Sequence, residues 1–345
     1  MRAVANGWGE WFRCGGVALA AAICPLVVGC GSSPPATVDA GTDARAGGAA
    51  GSAGTGGASG GGTGGAIGAG GAGGSAGRGG AARTACDVGN CVVQTIALAT
   101  VGRDFQGIAL DANYIYVVAP GQLGVSRANL DGSNLILNFT TTLLNDPEGI
   151  AIDSRYIYVT QPSNNYSDRA SIDGTNLIEG YIGGDFPIGI AVDAKYIYFA
   201  NQAESTIGRA AIDASSIDYG FITGCSYPNG LAIDGHYLYW ANQGSATVST
   251  PHRSIGRANI DGTGVNQDLI PKLPFAPTAV TVNDRHIYFL RADDPGGINR
   301  AALDGSSVEL GFLTVPTIRS RPYGIASNDT AIYWTVDDAI QMALR

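Results

Sequence analysis

The chain of 345 residues carries 20 Lys and Arg against 29 Asp and Glu, a formal net charge of −9, and 52 of its residues are glycine. That length admits one large domain or two ordinary ones. From Cys86 onward 26 acidic residues stand against 15 basic ones, a balance of −11, which argues against the clustered Lys and Arg that a nucleic-acid partner needs.

Residues 1–29 read as a targeting segment. Arg2 and Arg13 give a positive leader, "GGVALAAAICPLVV" from Gly15 gives an apolar core, and "VVGC" closes it at Cys30. The core is too short for a membrane-spanning helix. A hydrophobic core followed by a small residue and Cys resembles a bacterial lipoprotein signal. That resemblance implies cleavage before Cys30 and a lipid on that cysteine. Gly31, rather than Asp, follows it, and by the same analogy the protein would be exported to the outer membrane and touch lipid only through its anchor. An ordinary secretory signal that contains a Cys is the alternative. Residues 30–85 form the anchor and a tract of Gly, Ala, Ser and Thr with no large apolar side chain except Ile67. Nothing there offsets the entropy of ordering, so the tract reads as a disordered tether. The 55 residues between Cys30 and Cys86 would span about 40 Å as a Gly-rich coil. Its glycines do not recur at every third position, which excludes collagen.

Residues 86–345 form the folded part, which begins with two of its three cysteines, Cys86 and Cys91; Cys225 is the third. Export permits a disulfide, and a small ring between Cys86 and Cys91 is the first expectation, with three unpaired cysteines as the alternative. No Cys and His set has the spacing of a zinc site, and no cofactor is implied.

Beyond these cysteines the chain repeats itself. "GIALDANYIYVVAP" from Gly107 returns as "GIAIDSRYIYVTQP" from Gly149, "GIAVDAKYIYFANQ" from Gly189 and "GLAIDGHYLYWANQ" from Gly230, and in degraded form from Ala279 and Gly324. The intervals are 42, 40, 41, 49 and 45 residues. A second phrase, such as "DRASIDGTNL" from Asp168 or "GRANIDGTGV" from Gly256, follows each of the first five copies. The apolar pattern has period two and never 3.6, so each unit is all strand. The Asp-x-x and Asp-Gly steps are hairpin turns, because Asn, Asp and Gly tolerate positive φ. Four short strands per unit of about forty residues make one blade of a β-propeller. The all-β fold predicted is therefore a six-bladed propeller of four-stranded antiparallel blades. Its last blade lacks a strand, and "VVQTIALATV" from Val92 is predicted to supply it, closing the ring and removing an exposed edge.

Runs such as "LYWAN" from Leu238 and "IYWTV" from Ile332, with the Gly-Ile-Ala-Ile-Asp and Arg-Ala-x-Leu-Asp-Gly phrases around them, resemble the YWTD repeats of low-density-lipoprotein-receptor propellers. The resemblance covers about residues 92–345 and implies a six-bladed ring. It departs at the fourth motif position, where Asp is replaced by Ala119, Gln161, Asn201, Asn242, Arg291 and Val336. The inter-blade contacts attributed to that Asp do not carry over.

Whatever recurs in every blade is most simply needed by the blade. Tyr116, Tyr158, Tyr198, Tyr239, Tyr288 and Tyr333 recur in all six and are read as packing residues. Arg127, Arg169, Arg209, Arg257 and Arg300 recur in five and are expected to hydrogen-bond locally or to an adjacent blade. Function is sought where the copies differ, on the face that carries the loops entering each first strand. The variable entry positions are Gln106, Glu148, Ile188, Asn229, Thr278 and Tyr323. The loops between second and third strands add Gln161, Asn201, Asn242, His252 and Arg291. These residues form the candidate ligand-binding set. With Glu148 the one carboxylate in the entry ring and Asp104 nearby, catalytic chemistry is thin, and no catalytic residue is assigned. The sequence points to a tethered, monomeric recognition module that binds a protein or a glycan. The alternative is an exported metal-dependent hydrolase or lyase, lactonase-like, using Glu148, Asp104 and a divalent cation; its metal ligands are not identifiable.

Overall fold

In the computed structural model the described residues are 92–98, 104–121, 124–140, 144–245, 252–291, 293, 296–315, 322–337 and 339–344. The targeting segment, the tether, Cys30, Cys86 and Cys91 lie outside them.

Six antiparallel sheets follow one another along the chain as the blades of a propeller. Blade three is representative: β9 (Pro187–Val192), β10 (Tyr196–Asn201), β11 (Thr206–Ala211) and β12 (Ile217–Ile222) pair in chain order from the axis outward. Blades two, four and five repeat this plan. Among the described residues blade one has β2 (Ile108–Leu110), β3 (Tyr114–Val117) and β4 (Ser126–Asn129). Where the fourth strand is expected, the described residues make a single bridge, between Arg127 and Ile136. Blade six has the predicted closure: β1 (Val93–Leu98) pairs antiparallel with β23 (Ala339–Leu344), in the register Val93 to Ala343 and Leu98 to Ala339. Two further bonds tie the last blade to the first. The Phe105 N–H donates to the Asp337 carbonyl at 2.6 Å, and the Thr335 hydroxyl donates to the Gln106 carbonyl at 2.8 Å.

The core is not one mass but a series of seams. Each apolar cluster joins two consecutive blades: Tyr198, Ala200 and Ile207 of blade three pack on Leu231, Leu238 and Trp240 of blade four, and the other five seams are built alike. Repeat architectures gain stability from such neighbour interfaces. The six recurring tyrosines are 0–3% exposed, as packing residues should be. In blades one to four each hydroxyl donates to the Asp that ends the first strand, at 2.8–3.1 Å. That Asp works twice, because its other oxygen accepts the two backbone N–H groups of the following turn, as Asp193 does from Lys195 and Tyr196 at 2.7 Å. The recurring arginines bond to an adjacent blade in places, Arg257 Nη1 donating to the Leu303 carbonyl at 2.8 Å. They also stack between aromatic rings of their own blade, Arg209 lying 4.5 Å from the Tyr196 ring centre and 3.9 Å from that of Phe221, an interaction worth about 1 kcal/mol or more where water is excluded. The sequence reading anticipated the bonds and missed the stacking.

Close approach at the axis falls on glycine. A Cβ on Gly189 would overlap the Asn229 carbonyl of the next blade, and Gly107, Gly149 and Gly324 stand in the same relation to Glu148, Ile188 and Gln106. The repeat glycine therefore fixes how near the inner strands come, and so how wide the central channel is.

Candidate functional site

All six variable entry residues meet. Gln106, Glu148, Ile188, Asn229, Thr278 and Tyr323 line one cavity of about 90 Å³ at the mouth of the channel. Each is followed by the small residue that allows the inner strands to crowd. The next residue along each strand completes a deeper aliphatic ring of Ile108, Ile150, Ile190, Leu231, Val280 and Ile325. A mostly polar rim thus sits over an apolar floor. The volume holds a handful of waters or one slender side chain, well short of the roughly 300–1,000 Å³ of typical small-molecule pockets.

Among the described residues Glu148 is the only charged side chain lining the cavity. Burial, aided by the like charge of Asp146, pushes its carboxyl up to about 7. Neither effect involves a hydrogen bond, and a half-buried carboxyl with no donor among the described residues is an acceptor waiting for one. In the same wall Thr278 Oγ1 is buried with no hydrogen-bond partner.

The second half of the candidate set is elsewhere, and this corrects the expectation. Gln161, Asn201 and Asn242 are 0–1% exposed and do not line the cavity. Period-two alternation says which residues share a strand face, but not that a polar end residue turns back into the blade. Their carboxamides pin the entry loops. Asn201 Oδ1 accepts the Asp185 N–H at 3.1 Å, Asn242 Oδ1 accepts the Ser226 N–H at 2.9 Å, and Gln161 Oε1 accepts the Asn145 N–H at 2.6 Å. Each therefore steadies the loop that presents Ile188, Asn229 or Glu148. Gln161 Nε2 also bonds the buried carboxylate of Asp168, whose pKa burial raises to about 6. Arg291 leans toward its entry loop instead of the channel, its guanidinium 5.7 Å from the Phe275 ring centre and 3.8 Å from Asp293. His252 is also removed from the mouth: its Nε2 lies 2.7 Å from Asp268 on the outer strand of blade four, with both side chains about half exposed.

A second feature of the entry loops escaped the sequence reading. The residues before the entry prolines of blades two, three and four, Asp146, Phe186 and Tyr227, have φ of 60°, 52° and 52°. This left-handed backbone is costly for a non-glycine residue and is found mostly where a structure over-determines it. Here Asn165 Oδ1 accepts the Phe186 N–H, and the Phe186 and Tyr227 carbonyls accept from Gln202 and Gln243 at 3.3 and 3.2 Å. The aromatic side chains are left 39% and 37% exposed. The signal was legible in "DPEG", "FPIG" and "YPNG", two positions ahead of the residues chosen.

The buried Cys225 is unpaired, and burial pushes its thiol up to about 12, which makes it inert. Among the described residues no group of three or more His, Cys, Asp or Glu comes together to hold a metal ion. The donor set at the mouth, one carboxylate among amides, hydroxyls and an isoleucine, does not fit a divalent cation.

No protein family matches the chain by sequence, and no curated protein does. Solved structures do match it by shape. A nidogen–laminin complex superposes with a TM-score of 0.52 at 22% identity, over 65% of this chain and 85% of that one. A gluconolactonase from Xanthomonas campestris gives 0.59 at 15%, over 75% and 91%. A catalytically inactive virginiamycin B lyase from Staphylococcus aureus with quinupristin gives 0.53 at 17%, over 74% and 100%. Such identities establish the six-bladed propeller fold and no more, since a nidogen–laminin complex and two enzymes resemble it alike.

Proposed function

We propose that the protein is a recognition module whose channel-mouth face binds a group projecting from a protein or a glycan, held at the cell envelope by its N-terminal anchor. One observation carries this reading: six unlike side chains, each at the entry to the first strand of a different blade, converge on one small cavity. The scaffold beneath them repeats while they do not, which is how a rigid fold carries a specific surface. The cavity admits a chain end and not a whole small molecule. Replacing Glu148, Asn229 and Tyr323 together by alanine should abolish capture of envelope partners by the full chain while its unfolding transition persists. Unchanged capture would refute the assignment of the face.

A hydrolase or lyase reading has one observation on its side, the Glu148 carboxyl held at about 7, a value suited to proton transfer at neutral pH. Turnover of lactones or sugar lactones by the wild type and its loss in Glu148→Gln would establish it; an inert wild type would dismiss it.

A further inference from the structure

We propose that the group taken by the mouth is the primary ammonium of a lysine, presented by a polypeptide segment with an apolar residue beside it. The proposal rests on the recognition reading above and names its ligand. The argument starts from what the cavity lacks. Among the described residues Glu148 is its single charge and has no hydrogen-bond donor, and Asp146 adds a second negative charge on the same loop. No Lys, Arg or His among the described residues lines the cavity. The complement is a hydrogen-bond donor with positive charge. Arginine is disfavoured, because its planar fork seeks a bidentate partner and the rim offers one carboxylate among amides and hydroxyls. An ammonium has three donors in a compact head, and Glu148, Gln106 and Asn229 on three separate blades offer oxygens to it.

Depth fits as well. The aliphatic ring from Ile108 to Ile325 stops a charged head at the level of the rim, so the stem must lie outward of it. There the wall is Ile188, 8% exposed, and two residues before it and before Asn229 on their entry loops come Phe186 and Tyr227, 39% and 37% exposed. Methylene stems pack on such surfaces while the head stays polar, and a neighbouring apolar side chain of the partner covers the two exposed rings. A free polyamine or an aminosugar would satisfy Glu148 but leave that aromatic shelf uncovered.

The test uses the full chain and two short peptides, Ac-Gly-Leu-Lys-Leu-Gly-amide and its Nε-acetyl-lysine twin, with binding read by titration calorimetry. The free-lysine peptide should bind at least about tenfold more tightly than its twin. Glu148→Gln should remove most of that difference, and Phe186→Ala with Tyr227→Ala should weaken the lysine peptide alone. Asp213→Asn, an exposed carboxylate at the opposite end of the blades, should change nothing, which separates the site from general attraction to an acidic protein. Equal binding of the two peptides, no binding of either, or a difference that survives Glu148→Gln each overturns the proposal. So does Glu148-dependent binding of a chitosan oligosaccharide with none of the peptide, which would move the ligand to the glycans. These failures leave the recognition reading standing as long as the wild type still captures partners that the triple variant does not.

Discussion

The two ends of the blades obey different rules. At the turn end, the Asp that closes the first strand makes the same bonds in blades one to four: Asp111, Asp153, Asp193 and Asp234 each cap a turn and accept a tyrosine hydroxyl. At the mouth end the corresponding ring runs Gln, Glu, Ile, Asn, Thr, Tyr without repetition. The turn end is uniform because its partners lie within the blade, and every blade has them. The mouth end is free to vary because its side chains face a shared space that no single blade must fill. Uniform positions therefore answer to stability, and variable ones to a ligand.

The sharpest break in that comparison lies between the two ends, at the glycine that lets both coexist. Gly189→Val would drive a branched side chain into the Asn229 carbonyl, where backbone cannot step aside without widening the ring. The cost should be about 3 kcal/mol or more, visible as a lower denaturant midpoint with an unchanged slope. A loss below about 1 kcal/mol would show that the channel width is not set by this contact.

The turn end offers a smaller and reversible break. In blade five the clamp is defective: Asn283 stands where the first four blades have Asp, its Oδ1 still caps the turn, and its Nδ2 is buried without a partner. Tyr288 is left with a contact of 3.5 Å to His286. Asn283→Asp should give the tyrosine its acceptor and raise stability by about 1 kcal/mol, and the reverse change, Asp193→Asn, should lower it by a similar amount. Thermal midpoints moving in the same direction in both variants would end the claim that this one atom distinguishes the blades.

The same contrast explains what the sequence could convey. The period, the blade count and the closing strand were readable because repetition in "GIAIDxxYIYV" encodes contacts that recur in every unit. The inner mouth ring was readable because the glycine that follows most of its members marks where strands crowd. The carboxamides were misplaced because Asn201 and Asn242 end a strand whose alternation does not say whether the last side chain faces the channel or folds back onto a loop. Phe186 and Tyr227 were missed because their exposure comes from a left-handed φ before proline, a conformation that the residue before proline ordinarily shares with no bulky side chain.

The smallest effect belongs to the mouth and carries the clearest sign. Burial and Asp146 raise the Glu148 carboxyl from its ordinary value to about 7 in the folded protein, while in the unfolded chain it titrates near 4.3. Between those values the folded state binds more protons than the unfolded one, so stability falls as pH rises through the interval and levels off above about 7. Because the group is only partly shielded from solvent, the loss should be about 1 kcal/mol. Asp168, raised to about 6 by its burial in blade two, adds a decline of the same sign over the lower part of that window. Glu148→Gln should match the wild type below about pH 4 and exceed it by about 1 kcal/mol above about pH 7, leaving only the portion due to Asp168. A repeat residue would be stabilised by its surroundings, whereas Glu148 is held at a cost to the fold. A variant that proved less stable than the wild type at neutral pH would mean that the carboxylate is satisfied from within the protein and does not await a ligand.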